Sequence, residues 1–155
     1  MISIDIPDFG KVNIKHIVCD YNGTLAVDGV LIPGVQEAIN SIKDVKIHVI
    51  TADTFGLAKG QLEHTDCQLT ISPKENQADW KLQYINSLNA KETMCIGNGR
   101  NDRKMLKACA IGIALIQREG AAIQTLKEAD IICTSILHAF EYMSQPKRLI
   151  ATLRS

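Results

Sequence analysis

The feature that most constrains this chain is a series of short, unbroken apolar runs, each ending on a polar residue or a glycine. HIVC ends on Asp20, KIHVI on Thr51, and TMCI on Gly97-Asn98-Gly99, with IGIAL and IIC following. Strands apolar at every position are buried on both faces, which is the pattern of a parallel sheet covered by helices. Between the runs lie stretches of helical spacing. Val35, Ala38, Ile39 and Ile42 follow Pro33, and Trp80, Leu82, Ile85 and Leu88 precede TMCIG. The spacing predicts further helices over 54–63, 102–110, 119–129 and 136–143, and a last one after Pro146. Strands alternating with helices build βαβ units, so the expected fold is α/β, a three-layer sandwich around a mainly parallel sheet.

Two hairpins interrupt the alternation. Residues 2–6 alternate apolar and polar up to Asp8-Phe9-Gly10, and residues 11–20 climb into HIVCD, so the start reads as a hairpin feeding a buried strand. Residues 25–32 carry Asp28-Gly29 at their centre, the signal of a type I′ turn. No repeat, linker or biased segment divides the 155 residues, so residues 1–155 are expected to form a single domain. The hairpin at about 25–32 would be a flap on it, and about 146–155 a helical tail. That tail, with Leu149, Ile150 and Leu153 beside Lys147, Arg148 and Arg154, packs on its own domain or, like the hairpin, contacts another subunit of a homo-oligomer.

Composition excludes several functions. Seventeen basic residues balance seventeen acidic ones, without the basic excess that holds a protein on phosphate backbones, so no nucleic-acid partner is expected. No window approaches the roughly 18 apolar residues of a membrane span, and the N-terminus lacks the pattern of an export signal. Cys19, Cys67, Cys95, Cys109 and Cys133 are odd in number and form no CxxC pair. They read as reduced thiols of a cytoplasmic protein rather than a zinc site.

In sheets of this kind ligands bind beyond the carboxyl ends of the strands, so the residues there are read as a set. Asp20 in CDYNGTL could attack phosphorus, with Gly23 and Thr24 turning the chain and offering N–H groups to a phosphoryl oxygen. The bland alternative is an Asn22-Gly23 turn beside a solvated aspartate. Thr51 could hold a phosphoryl oxygen, or, with Asp53 and Thr54, merely cap the next helix. In CIGNGRNDRKML, Asp102 would face the crevice from a helix start. Two carboxylates at one edge can share a magnesium ion, whereas an N-cap aspartate is the commoner use. Lys81 or Lys74 could neutralise a phosphoryl charge, with Lys81 favoured because its helix start returns to the crevice.

Together, DYNGTL, the Thr51 strand end, Lys81 and GNGRNDRKML resemble the haloacid dehalogenase (HAD) superfamily of phosphatases and phosphotransferases over nearly the whole chain. The run from Gly97 to Leu106, followed by ACAIGIAL, is especially similar to the phosphorylation domain of P-type ATPases. The resemblance implies a Rossmann-like, HAD-like fold with no large cap domain. It implies Asp20 as the nucleophile of an aspartyl-phosphate, Thr51 and Lys81 as catalytic partners, and Gly23, Thr24 and Ala52 as phosphate binders. It implies Mg2+ held by the Asp20 carboxylate, the Asn22 carbonyl, Asn98 and Asp102, the last acting through water or from behind the direct ligands.

Two positions depart from the family pattern. Asn22 stands where phosphatases carry the aspartate that protonates the leaving group, and such help is worth roughly 10²–10⁴-fold. Asn98 stands where a directly ligating aspartate is usual, so the acidic set keeps only Asp20 and Asp102. The expected activity is a slow magnesium-dependent phosphohydrolase or phosphotransferase acting on a phosphorylated small molecule or phosphoprotein. The alternative is a catalytically degenerate binding or regulatory protein on the same fold. No ion pump is expected, since these residues hold no membrane segment and no room for a nucleotide-binding domain inserted after the first motif.

Overall fold

A computed structural model describes residues 1–155. Ten strands run β1 (Ile2–Ile6), β2 (Gly10–Ile14), β3 (His16–Asp20), β4 (Ala26–Val27), β5 (Val30–Leu31), β6 (Lys46–Thr51), β7 (Gln68–Ile71), β8 (Thr93–Gly97), β9 (Ile111–Leu115) and β10 (Ile131–Cys133). Seven helices join them: α1 (Val35–Ser41), α2 (Ala58–Gln61), α3 (Gln77–Ser87), α4 (Arg103–Ala108), α5 (Ile123–Glu128), α6 (Ile136–Glu141) and α7 (Pro146–Leu153). The central sheet has six strands in the order β10-β9-β8-β3-β6-β7, every neighbour parallel. This is the α/β architecture that the apolar runs require, and no large cap is inserted into it.

Strand parity divides the core. Ile17 and Cys19 of β3 face one layer, with Val35 and Ile39 of α1, Ile136 and Phe140 of α6 and the β1–β2 hairpin. Val18 faces the other, with Ile85 of α3 and Met105 and Leu106 of α4. Because side chains alternate along a strand, one buried run serves both layers. The initial hairpin pairs Ile2 with Ile14 and Ile6 with Gly10, as its alternation predicts. α7 lies on β1 with Leu149 fully buried, so the amphipathic tail packs on its own fold. Truncating such a side chain to alanine typically costs about 2–5 kcal/mol.

Several helices differ from their sequence limits, for local reasons. The expected helix over 54–63 shrinks to α2. Residues 54–57 instead turn around Asp53, whose carboxylate accepts the Ala58 N–H at 3.0 Å. α3 starts at Gln77, three residues before its first apolar position Trp80, behind Asn76 in the left-handed region. Residues 100–102 form a 3-10 turn before α4. The expected helix over 119–129 begins only at Ile123. Gly120 has φ 76°, its carbonyl accepts from the Asn98 side chain, and the Ala122 N–H donates to the Asn98 carbonyl. The segment before α5 is thus spent on the site loop. All five cysteines are free, four of them buried and Cys67 half-buried. No helix is long and apolar enough to cross a membrane.

Candidate active site at the strand ends

Register brings the strand ends together. Asp20 lies beside Ile50 of β6, and Cys19 beside Ile96 of β8, so Thr51 and Gly97 flank the end of β3 on either side. The resulting hollow has a volume of about 170 Å³ and is lined by Asp20, Asn22, Thr51, Ala52, Asn98 and Gly99, with Thr54, Gln77 and Asn101 at its edge. A larger hollow of about 330 Å³ between α1 and α6 contains none of the strand-end residues.

Lys81 reaches this edge from α3. It is fully buried, and its Nζ donates at 2.7 Å to Oδ1 of Asp20 and at 2.7 Å to Oδ1 of Asp102. Burial and the nearby Asp102 charge push the Asp20 carboxyl up to about 6, while Lys81 pulls it down. Burial alone would lower the Lys81 ammonium, but Asp102 and Asp20 outweigh it and hold the group above its ordinary value. Lys74 is exposed on the loop before α3 and lines a different hollow. Between the two lysines that the sequence offered, the fold delivers Lys81 to Asp20.

Asp102 is enclosed. Its Oδ2 accepts from the N–H groups of Asn98 and Gly99 at 3.0 and 2.9 Å, while its Oδ1 is taken by Lys81. It therefore holds the 97–99 loop and the lysine from behind the hollow. A Cβ on Gly97 would stand 2.5 Å from the Asp102 carboxyl carbon, so only glycine admits this carboxylate beneath the strand end.

The loop after Asp20 is fixed from several directions. Gly23 has φ 80° and donates its N–H to the Ala26 carbonyl at 2.8 Å. A Cβ there would fall 2.2 Å from the Asn98 amide nitrogen, so both conformation and contact demand glycine. Thr24 is buried, and its hydroxyl stands 3.4 Å from Asn98 Oδ1. The buried Tyr21 donates its hydroxyl to the Gly29 carbonyl and anchors the β4–β5 flap. Asp28 and Gly29 both have positive φ, as the predicted type I′ turn requires. Thr51 accepts the Asp53 N–H on its hydroxyl at 2.9 Å.

The oxygens in the hollow fit a hard divalent cation. Asp20, Asn22 and Asn98 all line it, and the buried Oδ1 of Asn22 has no hydrogen-bond partner. The Asn98 NH2 is committed to the Gly120 carbonyl at 2.9 Å, which leaves the amide oxygen with only its long contact to Thr24. Oxygen-only donors suit magnesium, and their low charge weakens the grip. No group of three or more His, Cys, Asp or Glu side chains gathers as a metal site.

Two supporting residues, Gln117 and Thr125, lie outside every sequence motif, and a third, Asn101, is expected from the sequence only to help open a helix. Gln117, after β9, donates to the carbonyls of Gly23 and Thr24 at 3.2 and 2.9 Å and accepts the Ile136 N–H. Thr125 donates to the Gly99 carbonyl at 2.6 Å. Asn101 donates to Gln77 Oε1 at 2.5 Å. Each joins segments far apart in the chain, and no local pattern announces the contact it makes.

Fold and site together are those of an α/β protein that carries a lysine-paired carboxylate at the end of a central parallel strand. Residues 68–136 match the haloacid dehalogenase-like hydrolase family. An uncharacterized protein of Methanocaldococcus jannaschii is 39% identical over 64 residues, 41% of this chain and 69% of the relative. The chain belongs to the haloacid dehalogenase superfamily. Its fold is similar to that of a 3-deoxy-D-manno-octulosonate 8-phosphate phosphatase from Moraxella catarrhalis, solved with a magnesium ion, a phosphate ion and KDO. There the TM-score is 0.65 at 17% identity, covering 91% of this chain and 94% of the other. It is also similar to a zinc-transporting PIB-type ATPase, with TM-score 0.62 and 23% identity over 78% of this chain and 20% of that one.

Proposed function

We propose that the chain is a slow, magnesium-dependent phosphohydrolase or phosphotransferase that forms an aspartyl-phosphate at Asp20. The observation that carries this reading is the buried Lys81 bonded to both Asp20 and Asp102 at the strand edge. Such an arrangement costs desolvation and is hard to explain as a stabilising device. The Asp20 carboxylate bonds to phosphorus as the ester P–O bond breaks. The Lys81 ammonium balances the charge on the nucleophile, and Thr51 with the N–H groups of Asn22 and Ala52 holds phosphoryl oxygens. The N–H groups of Gly23 and Thr24, expected to do so, are spent on the Ala26 and Tyr21 carbonyls. Asn22 has no proton to give, so the leaving oxygen takes one from water. A water molecule, or an acceptor hydroxyl in a transferase, then attacks phosphorus and frees Asp20.

Asp20, the Asn22 carbonyl and Asn98 would hold the metal, with Asp102 behind them. Bound there, it would neutralise phosphoryl charge. The substrate is a phosphorylated small molecule or phosphoprotein. The bare crevice and Asn22 support kinship with the phosphorylation domains of P-type ATPases within the superfamily. The second reading, a binding protein without turnover, is favoured by Asn22 and Asn98 alone. Thermal unfolding with magnesium and beryllium fluoride decides between the two. A competent site gains several degrees from the phosphoryl mimic, and an unchanged melting temperature refutes the enzyme reading.

A further inference from the structure

Beside the hollow at Asp20 lies a second, open one of about 460 Å³, between the loop before α3 and the start of α4. The two share the walls formed by Gln77 and Asn101. Those side chains are bonded to each other, and Gln77 also donates to the Lys74 carbonyl at 3.0 Å, so the partition is tied to the loop.

The charge of the second hollow is not compensated. Lys74, Arg100 and Arg103 line it together with one carboxylate, Asp79. Asp79 is paired with Lys104, whereas none of the three cations has a carboxylate partner. Arg103 donates to the Arg100 carbonyl at 2.7 Å, which fixes one guanidinium against the turn that carries the other. In a chain of zero net charge, three unpaired cations around one concavity next to a phosphoryl site form a local positive field.

We infer that this hollow is a subsite for a second phosphoryl group of the substrate, so that the preferred substrates are bisphosphorylated. The inference rests on the proposed reaction at Asp20 and adds the substrate class. A phosphoryl group brings a charge of about −2 and several acceptor oxygens, matching three cations better than a single carboxylate would. Binding energy gathered here, away from the reacting phosphorus, would orient the ester over Asp20.

The test uses non-hydrolysable ligands, so that it does not depend on turnover. Alkane-α,ω-bisphosphonates of two to six carbons are compared with alkyl monophosphonates of equal length, by calorimetry in the presence of magnesium. At the best-fitting length the bisphosphonate should bind about tenfold tighter or more, the equivalent of one charge-assisted contact. The advantage should vanish in the double variant Lys74→Gln, Arg100→Gln, and shrink in Arg103→Gln. Both residues of the double variant are exposed, so the fold should tolerate their loss. Equal or undetectable binding of the two ligand series, or an advantage that survives in the double variant, overturns the inference. A chain that binds bisphosphonates in this way but forms no aspartyl-phosphate from any phosphate ester would instead refute the activity proposed at Asp20.

Discussion

Asp20 and Asp102 share one ammonium, since Lys81 Nζ lies 2.7 Å from an oxygen of each although 61 and 21 residues separate it from them. Neither carboxylate has another cation, so the three side chains form one unit. The lysine fixes Asp20, while Asp102 fixes both the lysine and the loop that carries Asn98.

Replacing Lys81 with methionine keeps its bulk but leaves two buried carboxylates facing each other. The variant should lose about 3 kcal/mol of stability at neutral pH, since an unpaired buried charge costs that much. The loss should be smaller near pH 5, where the Asp20 carboxyl, already raised to about 6, takes up a proton. Denaturant unfolding at both pH values checks this, and aspartyl-phosphate formation should be undetectable.

Asn22→Asp should raise hydrolysis of p-nitrophenyl phosphate by about 10²-fold or more, because general acid–base help is worth roughly 10²–10⁴. The unpartnered Oδ1 of Asn22 shows that this oxygen satisfies no structural bond that the exchange would break. Steady-state rates at saturating magnesium give the comparison.

Gln117→Ala removes three hydrogen bonds at once and releases the carbonyls of Gly23 and Thr24. A loss of about 1–3 kcal/mol is expected from unsatisfied backbone groups. Stabilisation by the beryllium fluoride complex should fall further than this global loss accounts for. Thermal melts with and without the complex separate the two effects.

His48 sets a pH dependence away from the site. It is 3% exposed on β6, between His16 at 3.0 Å and the Tyr84 hydroxyl at 3.0 Å. Burial, then His16 and Lys46, lower its imidazole to about 4. The unfolded chain binds a proton there below about 6.5 and the folded one only below about 4, so this contribution is complete above pH 6.5 and is lost as pH falls to 4. Asp20, raised to about 6, acts in the opposite sense over much of the same window. The informative quantity is therefore the difference between the wild-type chain and His48→Gln. The variant should lack a stability increase of about 2 kcal/mol between pH 4.5 and 6.5.

How much of this was legible in the chain depends on whether a signal is local. The parallel sheet is written in runs such as HIVC and TMCI, where every residue must be apolar. The type I′ turn is equally plain in Asp28-Gly29. The helix limits at 54 and 119 were not legible, because Asp53 and Gly120 divert the backbone through contacts that helical periodicity does not record. In the site, Asp20, Thr51, Lys81 and Asn98 could be listed from strand ends and motif order. The enclosure of Asp102 and the reach of Gln117 could not, since both depend on where distant loops meet.

The two glycines that follow Asn22 and Asn98 bear on how long the protein keeps its encoded chemistry. Asn-Gly pairs in mobile chains age when the glycine nitrogen attacks the side-chain amide and expels ammonia, and water then opens the ring to aspartate and isoaspartate. Here the Gly23 N–H is bound to the Ala26 carbonyl and the Gly99 N–H to Asp102. Folding thus shields the very bonds whose decay would restore the missing acids. A natively stored sample should keep its intact mass, whereas an unfolded one should gain about one dalton at these positions. Activity that grows with storage would then measure damage rather than design.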